Sequence, residues 1–128
     1  MQANTRAALE RFLIALSSAD TAAMESLLAA DVRHLSDGGE FPAAHRPVIG
    51  RSKVMRLFFG LNRHLGPTAW SIIRELNGLP ALLIDFGVRD PRFAPRGIVR
   101  LDVDADGRVA VVHAVLASRK LAAVRFPA

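Results

Sequence analysis

The chain has 128 residues, 51% of them hydrophobic, which suits one domain of ordinary size with its own apolar core. It contains no cysteine, so disulfides, thiolate metal sites and cysteine nucleophiles are excluded. Its net charge of +5 comes mostly from arginines spread along the chain without a run, and there is no tyrosine. We therefore expect a solvated basic surface and not a nucleic-acid interface, which usually adds exposed aromatic side chains to its positive charge.

No targeting or membrane signal is visible in the sequence. The first residues, MQANTRAALERF, are charged and amphipathic, and they lack the long apolar core of a signal peptide. The longest apolar stretch, residues 109–117, is interrupted by His113 and is too short to span a bilayer. We expect a cytoplasmic protein without membrane contact.

Two amphipathic helices are predicted at the start of the chain. Apolar residues recur at helical spacing within residues 5–18, and charged residues occupy the opposite face. Asp20 is a suitable N-cap for a second helix over residues 21–30. Because the link between them is short, the two helices should form a hairpin.

A strand, an edge segment and a third helix should follow. Residues 32–36 alternate as a strand does, and Asp37-Gly38-Gly39 is a strong turn signal because glycine tolerates positive φ. The prolines within residues 41–49 favour an edge arm or a loop. A third helix is predicted over residues 52–65.

Four strands are predicted in the second half of the chain, arranged as two hairpins. Asn77-Gly78 and Asp106-Gly107 are the two-residue turns that would join them. The helices precede the run of antiparallel strands, and this segregation is typical of the α+β class. We predict a single domain over residues 1–128, with its core in about residues 5–121. The strands are expected at residues 68–76, 81–88, 98–104 and 109–116.

Two of these strands are apolar on both faces. Ala81-Leu82-Leu83-Ile84 and Val109-Ala110-Val111-Val112 lack the alternation expected of an antiparallel strand with one face in water. The helices can cover one face of the sheet, and the other face needs a second subunit or a partner domain. We predict a homodimer through the outer sheet face.

The segment SDGGEFPAAHRPVIGRSKVMRLFFGL, from Ser36 to Leu61, carries a family resemblance. It is similar to the C-terminal SnoaL-like domain attached to one large group of extracytoplasmic-function sigma factors. The chain departs from that family at Glu40, which breaks the glycine run, and at residues 117–121, which keep only Lys120 and Leu121 of the family's Asn-Pro-Asp-Lys-Leu tail. The residues that match are Asp37, Gly38, Gly39, Pro42, Arg46, Pro47, Val48 and Gly50, together with the hairpin residues 77–81.

The resemblance implies a cone-shaped SnoaL-like or nuclear-transport-factor-like fold, with three N-terminal helices packed on a strongly bent antiparallel sheet. In the family, the glycine-rich turn and the tail are associated with controlling the sigma domains. No promoter-reading sigma domains precede residue 5, so we expect a stand-alone relative or a fragment, and not a complete sigma factor.

Hairpin register groups the polar candidates for a ligand pocket. If both turns have two residues, Arg100 lies opposite His113, and these two share a sheet face with Asp102. By the same argument Trp70 lies opposite Asp85. We predict that these five residues line the ligand pocket, although strand parity alone does not say which face points into the cone.

Asp85 and His113 are the weak candidates for catalysis. A buried carboxylate must be paired or have a raised pKa, so Asp85 belongs either to an ion pair with Arg74 or Arg100 or to a site. His113 is suited to general acid–base work, but a lone histidine on an apolar strand is more often a satisfied core or interface residue. The histidine spacing fits no metal site and no glycine-rich phosphate loop opens a helix, so we expect neither metal nor cofactor.

Three functions compete at this point. The first is a binding or regulatory module that holds a small apolar ligand or docks on a protein partner, such as a transcription component. The second is an enzyme of the isomerase, polyketide-cyclase or epoxide-hydrolase kind, with Asp85, His113 and Arg100 as its acid–base and donor groups. The third, nucleic-acid binding, rests on net charge alone.

Overall fold

The computed structural model describes residues 2–37, 46–65, 70–85 and 96–115. Within these ranges, no helix is long and apolar enough to cross a membrane. The described ranges form three helices and six strands, in the predicted order. The helices are α1 (Gln2–Ser17), α2 (Thr21–Leu27) and α3 (Arg51–Leu65), and the strands are β1 (Leu28–Asp37), β2 (Val48–Ile49), β3 (Trp70–Leu76), β4 (Leu79–Asp85), β5 (Arg96–Val103) and β6 (Val109–Val115).

The strands form one curved sheet in the order β2-β1-β6-β5-β4-β3. The α+β class and the bent sheet are confirmed. The sheet is mixed, however, because β1 runs parallel to β6, whereas the other neighbouring strands pair antiparallel. The parallel pair arises because the chain leaves β1, crosses through β2, α3 and three further strands, and returns beside β1.

Helix α2 is shorter than the apolar pattern suggested. Its N-cap is the predicted one, since the Asp20 carboxylate accepts a hydrogen bond from the Ala23 N–H at 3.0 Å. The expected helix over residues 21–30 nevertheless ends at Leu27, and Leu28 takes an extended conformation with φ −86° and ψ 139°. Leu28 there pairs with Val109 of β6, so tertiary strand pairing overrides the helical propensity of the following alanines.

The two hairpins keep the predicted register by different routes. Asn77 and Gly78 have φ values of 52° and 81°, as the two-residue turn requires. The second turn is one residue longer than predicted, because Asp104, and not Ala105, pairs with Arg108 across it, through an N–H to O bond of 2.8 Å. A bulge between Asp102 and Val103 compensates for the extra residue.

The sheet buries apolar side chains on both faces. One face packs against α1 and α3, and Leu82, Val99 and Val112 lie in that main core with Phe12. On the opposite, outer face, Ala81, Leu83 and Ile98 form a smaller cluster with 0%, 0% and 7% exposure. These three residues are buried within a single chain, so they do not require a second subunit. The homodimer through this face stays a prediction.

Candidate functional site

The polar residues predicted to line a pocket lie on the outer face of the sheet. Asp85 has the same strand parity as Ala81 and Leu83, which belong to the outer cluster. Arg100 is two residues from Ile98 of that cluster and pairs with His113 across β5 and β6. The side chains of Asp85, Arg100, Asp102 and His113 therefore point away from α1 and α3. They do not line the helix-covered interior.

The structure divides these polar residues between two separate contacts. Asp85 pairs with Arg96, its neighbour across β4 and β5, at 3.4 Å between Oδ2 and Nε. The expected ion pair of Asp85 with Arg74 or Arg100 is thus corrected to Arg96. His113 Nε2 lies 2.8 Å from Asp102 Oδ2.

Asp85 and His113 are too far apart to share a substrate atom. Asp85 lies on β4 beside Arg96 of β5. His113 lies on β6, on the other side of β5, beside Arg100, which is four residues further along β5. Four residues of about 3.3 Å each along the strands, and two strand spacings of about 4.8 Å from β4 to β6, place their Cα atoms roughly 16 Å apart. Direct acid–base cooperation needs hydrogen-bond distances to one substrate.

The Asp102–His113 pair has the character of a surface contact. The side chain of Asp102 is 63% exposed and that of His113 is 30% exposed. Water screens such a pair, so it contributes about 0–1 kcal/mol to stability. The conservative interpretation of His113, a satisfied and partly buried histidine, agrees with this geometry.

The structure describes the backbone of Trp70 and, of the glycine-rich turn, only Asp37. Trp70 lies opposite Asp85 in the backbone register of β3 and β4, as predicted. Asp37 is the last residue of β1. Gly38 and Gly39 lie outside the described residues, so the turn interpretation of this motif stays a prediction.

His34 is a buried polar residue on the inner side of the sheet, and the sequence alone did not single it out. It is 5% exposed, and it is the one buried polar or charged residue among those that the structure describes. Its ring meets that of Phe58 on α3 edge to face, with centroids 5.3 Å apart, and Phe58 in turn meets Phe12 of α1 at 5.2 Å. His34 therefore lies where the sheet and both long helices come together.

The environment of His34 favours its neutral form. Burial lowers the pKa of the imidazole, because the apolar surroundings disfavour the charged ring. Its Nδ1 atom has no hydrogen-bond partner within the described parts of the chain. A buried nitrogen without a partner is free to hydrogen-bond one polar atom of a bound molecule.

Strand parity could have indicated His34, but two neighbours hide the signal. Val32 and His34 share one face of β1, while Arg33 and Leu35 share the other, and each pair mixes an apolar with a polar residue. The register Arg33↔Val111 and His34↔Val112 resolves the ambiguity, because Val112 lies in the main core. That register depends on the parallel pairing of β1 with β6, which the sequence did not reveal.

The inner side of the sheet is otherwise aliphatic where it is buried. Its core positions are valines, leucines and isoleucines, and no carboxylate is buried among the described residues. Proton abstraction next to a carbonyl usually combines a base with an oxyanion-stabilising donor, and His34 alone provides only one of these groups. No three side chains of metal-ligating type lie together in the described ranges.

Comparisons with known proteins agree on the fold. No family model and no curated protein matches the sequence. Among solved structures, the extracytoplasmic function sigma factor SigJ of Mycobacterium tuberculosis is similar over 92% of this chain and 44% of its own, with 27% identity and a TM-score of 0.79. A steroid delta-isomerase from Pseudomonas aeruginosa matches over 90% of this chain and 80% of its own, with 18% identity and a TM-score of 0.63.

A third similar structure has no assigned activity. It is an NTF-2 like protein of unknown function from Burkholderia xenovorans, with 14% identity, a TM-score of 0.60 and coverage of 98% of this chain and 96% of its own. At such identities, this match and the isomerase match speak for the fold alone. The chain spans less than half the length of SigJ, so the activity of the whole sigma factor does not transfer with the match. The chain has a SnoaL-like, nuclear-transport-factor-2-like fold, and it is similar to the matched part of an extracytoplasmic function sigma factor.

Proposed function

We propose that this chain is a binding or regulatory module linked to transcription control, and that it holds a small apolar ligand between the sheet and α3. The observation that carries the proposal is the composition of the buried inner side. His34 offers one unpartnered polar atom there, surrounded by aliphatic and phenyl groups, with no second buried titratable side chain among the described residues. Apolar walls with one polar contact suit binding and orientation more than proton transfer.

The link to transcription rests on the match to SigJ. Its TM-score of 0.79 and its 27% identity exceed the values of 0.63 and 18% for the steroid isomerase. A protein partner in transcription would therefore suit this module, either as the unit that it controls or as the unit that carries it.

The second candidate function is a cone-fold enzyme, of the isomerase or cyclase kind. The steroid delta-isomerase match favours it, and so does the buried, neutral imidazole of His34, which could act as a base. The pair of Asp85 and His113 no longer supports it, because the two side chains are far apart and lie on the outer face. Among the described residues, His34 is the one buried side chain that could serve such an enzyme as a base.

A β,γ-unsaturated ketosteroid separates binding from catalysis. Its isomerisation to the conjugated ketone is followed by ultraviolet absorbance, and its binding by methyl NMR shifts. We expect shifts at inner methyl groups of Leu82, Val99 and Leu101, little change at Leu83, and no turnover above buffer. His34→Leu should weaken binding by about threefold to tenfold, since the ketone oxygen loses one hydrogen bond.

The controls address each alternative by name. His113→Gln should leave binding unchanged, because that side chain points away from the helices. Turnover by the wild type that disappears in His34→Leu would show that the chain is an enzyme that uses His34, and not a binding module. Turnover that disappears in His113→Gln or Asp85→Asn would show that the active site lies on the outer face of the sheet.

A further inference from the structure

We propose that the open groove between α2 and α3 docks an acidic, amphipathic peptide segment of another protein. The groove encloses about 690 Å³ and runs beside β2, on a different surface from the interior around His34. The inference goes beyond the proposed function and holds whether or not the interior binds a ligand. We call this surface the basic groove, and its main residues are Ile49, Lys53, Met55, Arg56, Phe59 and Arg63.

The floor of the basic groove is apolar and partly exposed. Ile49, a large aliphatic residue at the edge of the sheet, is 57% exposed. Met55 and Phe59 are half-buried and pack against the main core with one side, so that the rest of each side chain stays accessible. An apolar floor of this kind is able to take the hydrophobic side chains of a docked helix or strand.

The rim of the basic groove is strongly positive. Helix α3 carries Arg51, Lys53, Arg56 and Arg63 but no aspartate or glutamate in its 15 residues. Among the described residues, the one acidic residue lining the groove is Glu25, which is 63% exposed and lies 3.8 Å from Arg51. Within the part of the chain that the structure describes, Lys53, Arg56 and Arg63 form no ion pair.

Unpaired cations around an apolar floor select an acidic amphipathic partner by charge complementarity. The chain's own residues 116–128 do not fit, because they contain Arg119, Lys120 and Arg125 and no acidic residue. A second copy is disfavoured by the net charge of +5 on each chain.

A membrane surface is a poorer match than a peptide. A helix that lies in the lipid interface needs a free apolar face, but α3 directs Val54, with 0% exposure, and Phe58 into the protein's own core. Nucleic acid is also a poorer match, because Phe59 is the one aromatic ring among the described lining residues, and Ile49 and Met55 offer no stacking platform.

The test uses a labelled synthetic peptide of about 12 residues, with glutamates on one helical face and leucines and phenylalanine on the other. Fluorescence anisotropy should show saturable binding that weakens as salt is added. Lys53→Glu with Arg56→Glu should reduce the affinity by roughly tenfold or more, because two attractive contacts become repulsive. Ile49→Asp should also weaken binding, because it removes an apolar side chain from the floor of the basic groove.

The matched control reverses two arginines elsewhere. Arg74→Glu with Arg108→Glu changes the net charge by the same amount as the groove variant, and both arginines are exposed and lie outside the groove. Circular dichroism confirms that each variant is folded. The proposal predicts a much smaller loss of affinity in the control than in the groove variant.

Four results would overturn the proposal: no saturable binding, an equal loss in both double variants, no effect of Ile49→Asp, or tighter binding to duplex DNA or phosphatidylserine vesicles than to the peptide. An equal loss would mean that only the net charge attracts the peptide. Tighter binding to DNA or to vesicles would assign the groove to those surfaces instead.

Discussion

His34 lies on the buried side of β1, where its ring packs against Phe58 and its Nδ1 has no hydrogen-bond partner among the described residues. Leaving a buried polar nitrogen unsatisfied costs about 1–3 kcal/mol, so an aliphatic side chain at this position would suit stability better. The mismatch between stability and residue type is typical of positions that serve binding or chemistry. The proposed ligand site therefore rests on His34.

Stability should fall in acid because of His34. Burial lowers the pKa of His34 in the folded state, so below the unfolded value of about 6.5 the unfolded chain binds more protons than the folded chain. The contribution of neutral His34 is complete above this pH and is lost as the pH falls towards the lowered folded pKa. Urea denaturation at about pH 7.5 and about pH 5.5 measures it.

His34→Leu provides the comparison for the pH effect. The variant should lose less stability than the wild type between the two pH values, and it should be at least as stable as the wild type at the higher pH. Equal pH dependence in the wild type and His34→Leu would show that His34 is not the titrating group.

At the scale of elements, the local signals in the sequence were sufficient for most boundaries. The Asp20 cap, the Asn77-Gly78 turn and the register of both hairpins follow from short-range chemistry. The end of α2 and the bulge beside Asp102 did not follow, because strand pairing across the sheet decides both. Residues far apart in the chain determine that pairing, and one sequence carries little information about it.

Helix α1 owes its stability to one buried stripe and not to its exposed apolar residues. Phe12 is fully buried against Phe58, whereas Ile14 in the same helix is 66% exposed. Phe12→Ala should lower the free energy of unfolding by about 3–5 kcal/mol, since it leaves a cavity in the main core. Ile14→Ala should change it by less than about 0.5 kcal/mol, as surface substitutions do.

Chemical denaturation of both α1 variants tests the packing. A small effect of Phe12→Ala would mean that the contact between α1 and α3 is looser than the structure shows. A large effect of Ile14→Ala would instead indicate that the exposed side of α1 is covered in solution by another molecule.

At the scale of the whole molecule, the α+β class and the SnoaL-like fold could be predicted from the sequence, but the direction in which each sheet face points could not. The orientation of each sheet face depends on the parallel contact between β1 and β6, which joins residues such as His34 and Val112. Without it, strand parity grouped His113 with Arg100 and Asp102, and Asp85 with Trp70, but it did not say which way either group faces. The basic groove was also missed, because it combines α2, α3 and β2.

We propose that this chain, which has a SnoaL-like fold, acts as a module in transcription control. The direct measurement is promoter-dependent transcription by M. tuberculosis SigJ in which the segment similar to this chain is replaced by the chain itself. A matched control graft uses the P. aeruginosa steroid delta-isomerase, which shares the fold at 18% identity. We predict transcription clearly above that of SigJ truncated before the matched segment, and no such gain from the isomerase graft. Transcription at the truncated level from a folded graft of this chain would contradict the claim.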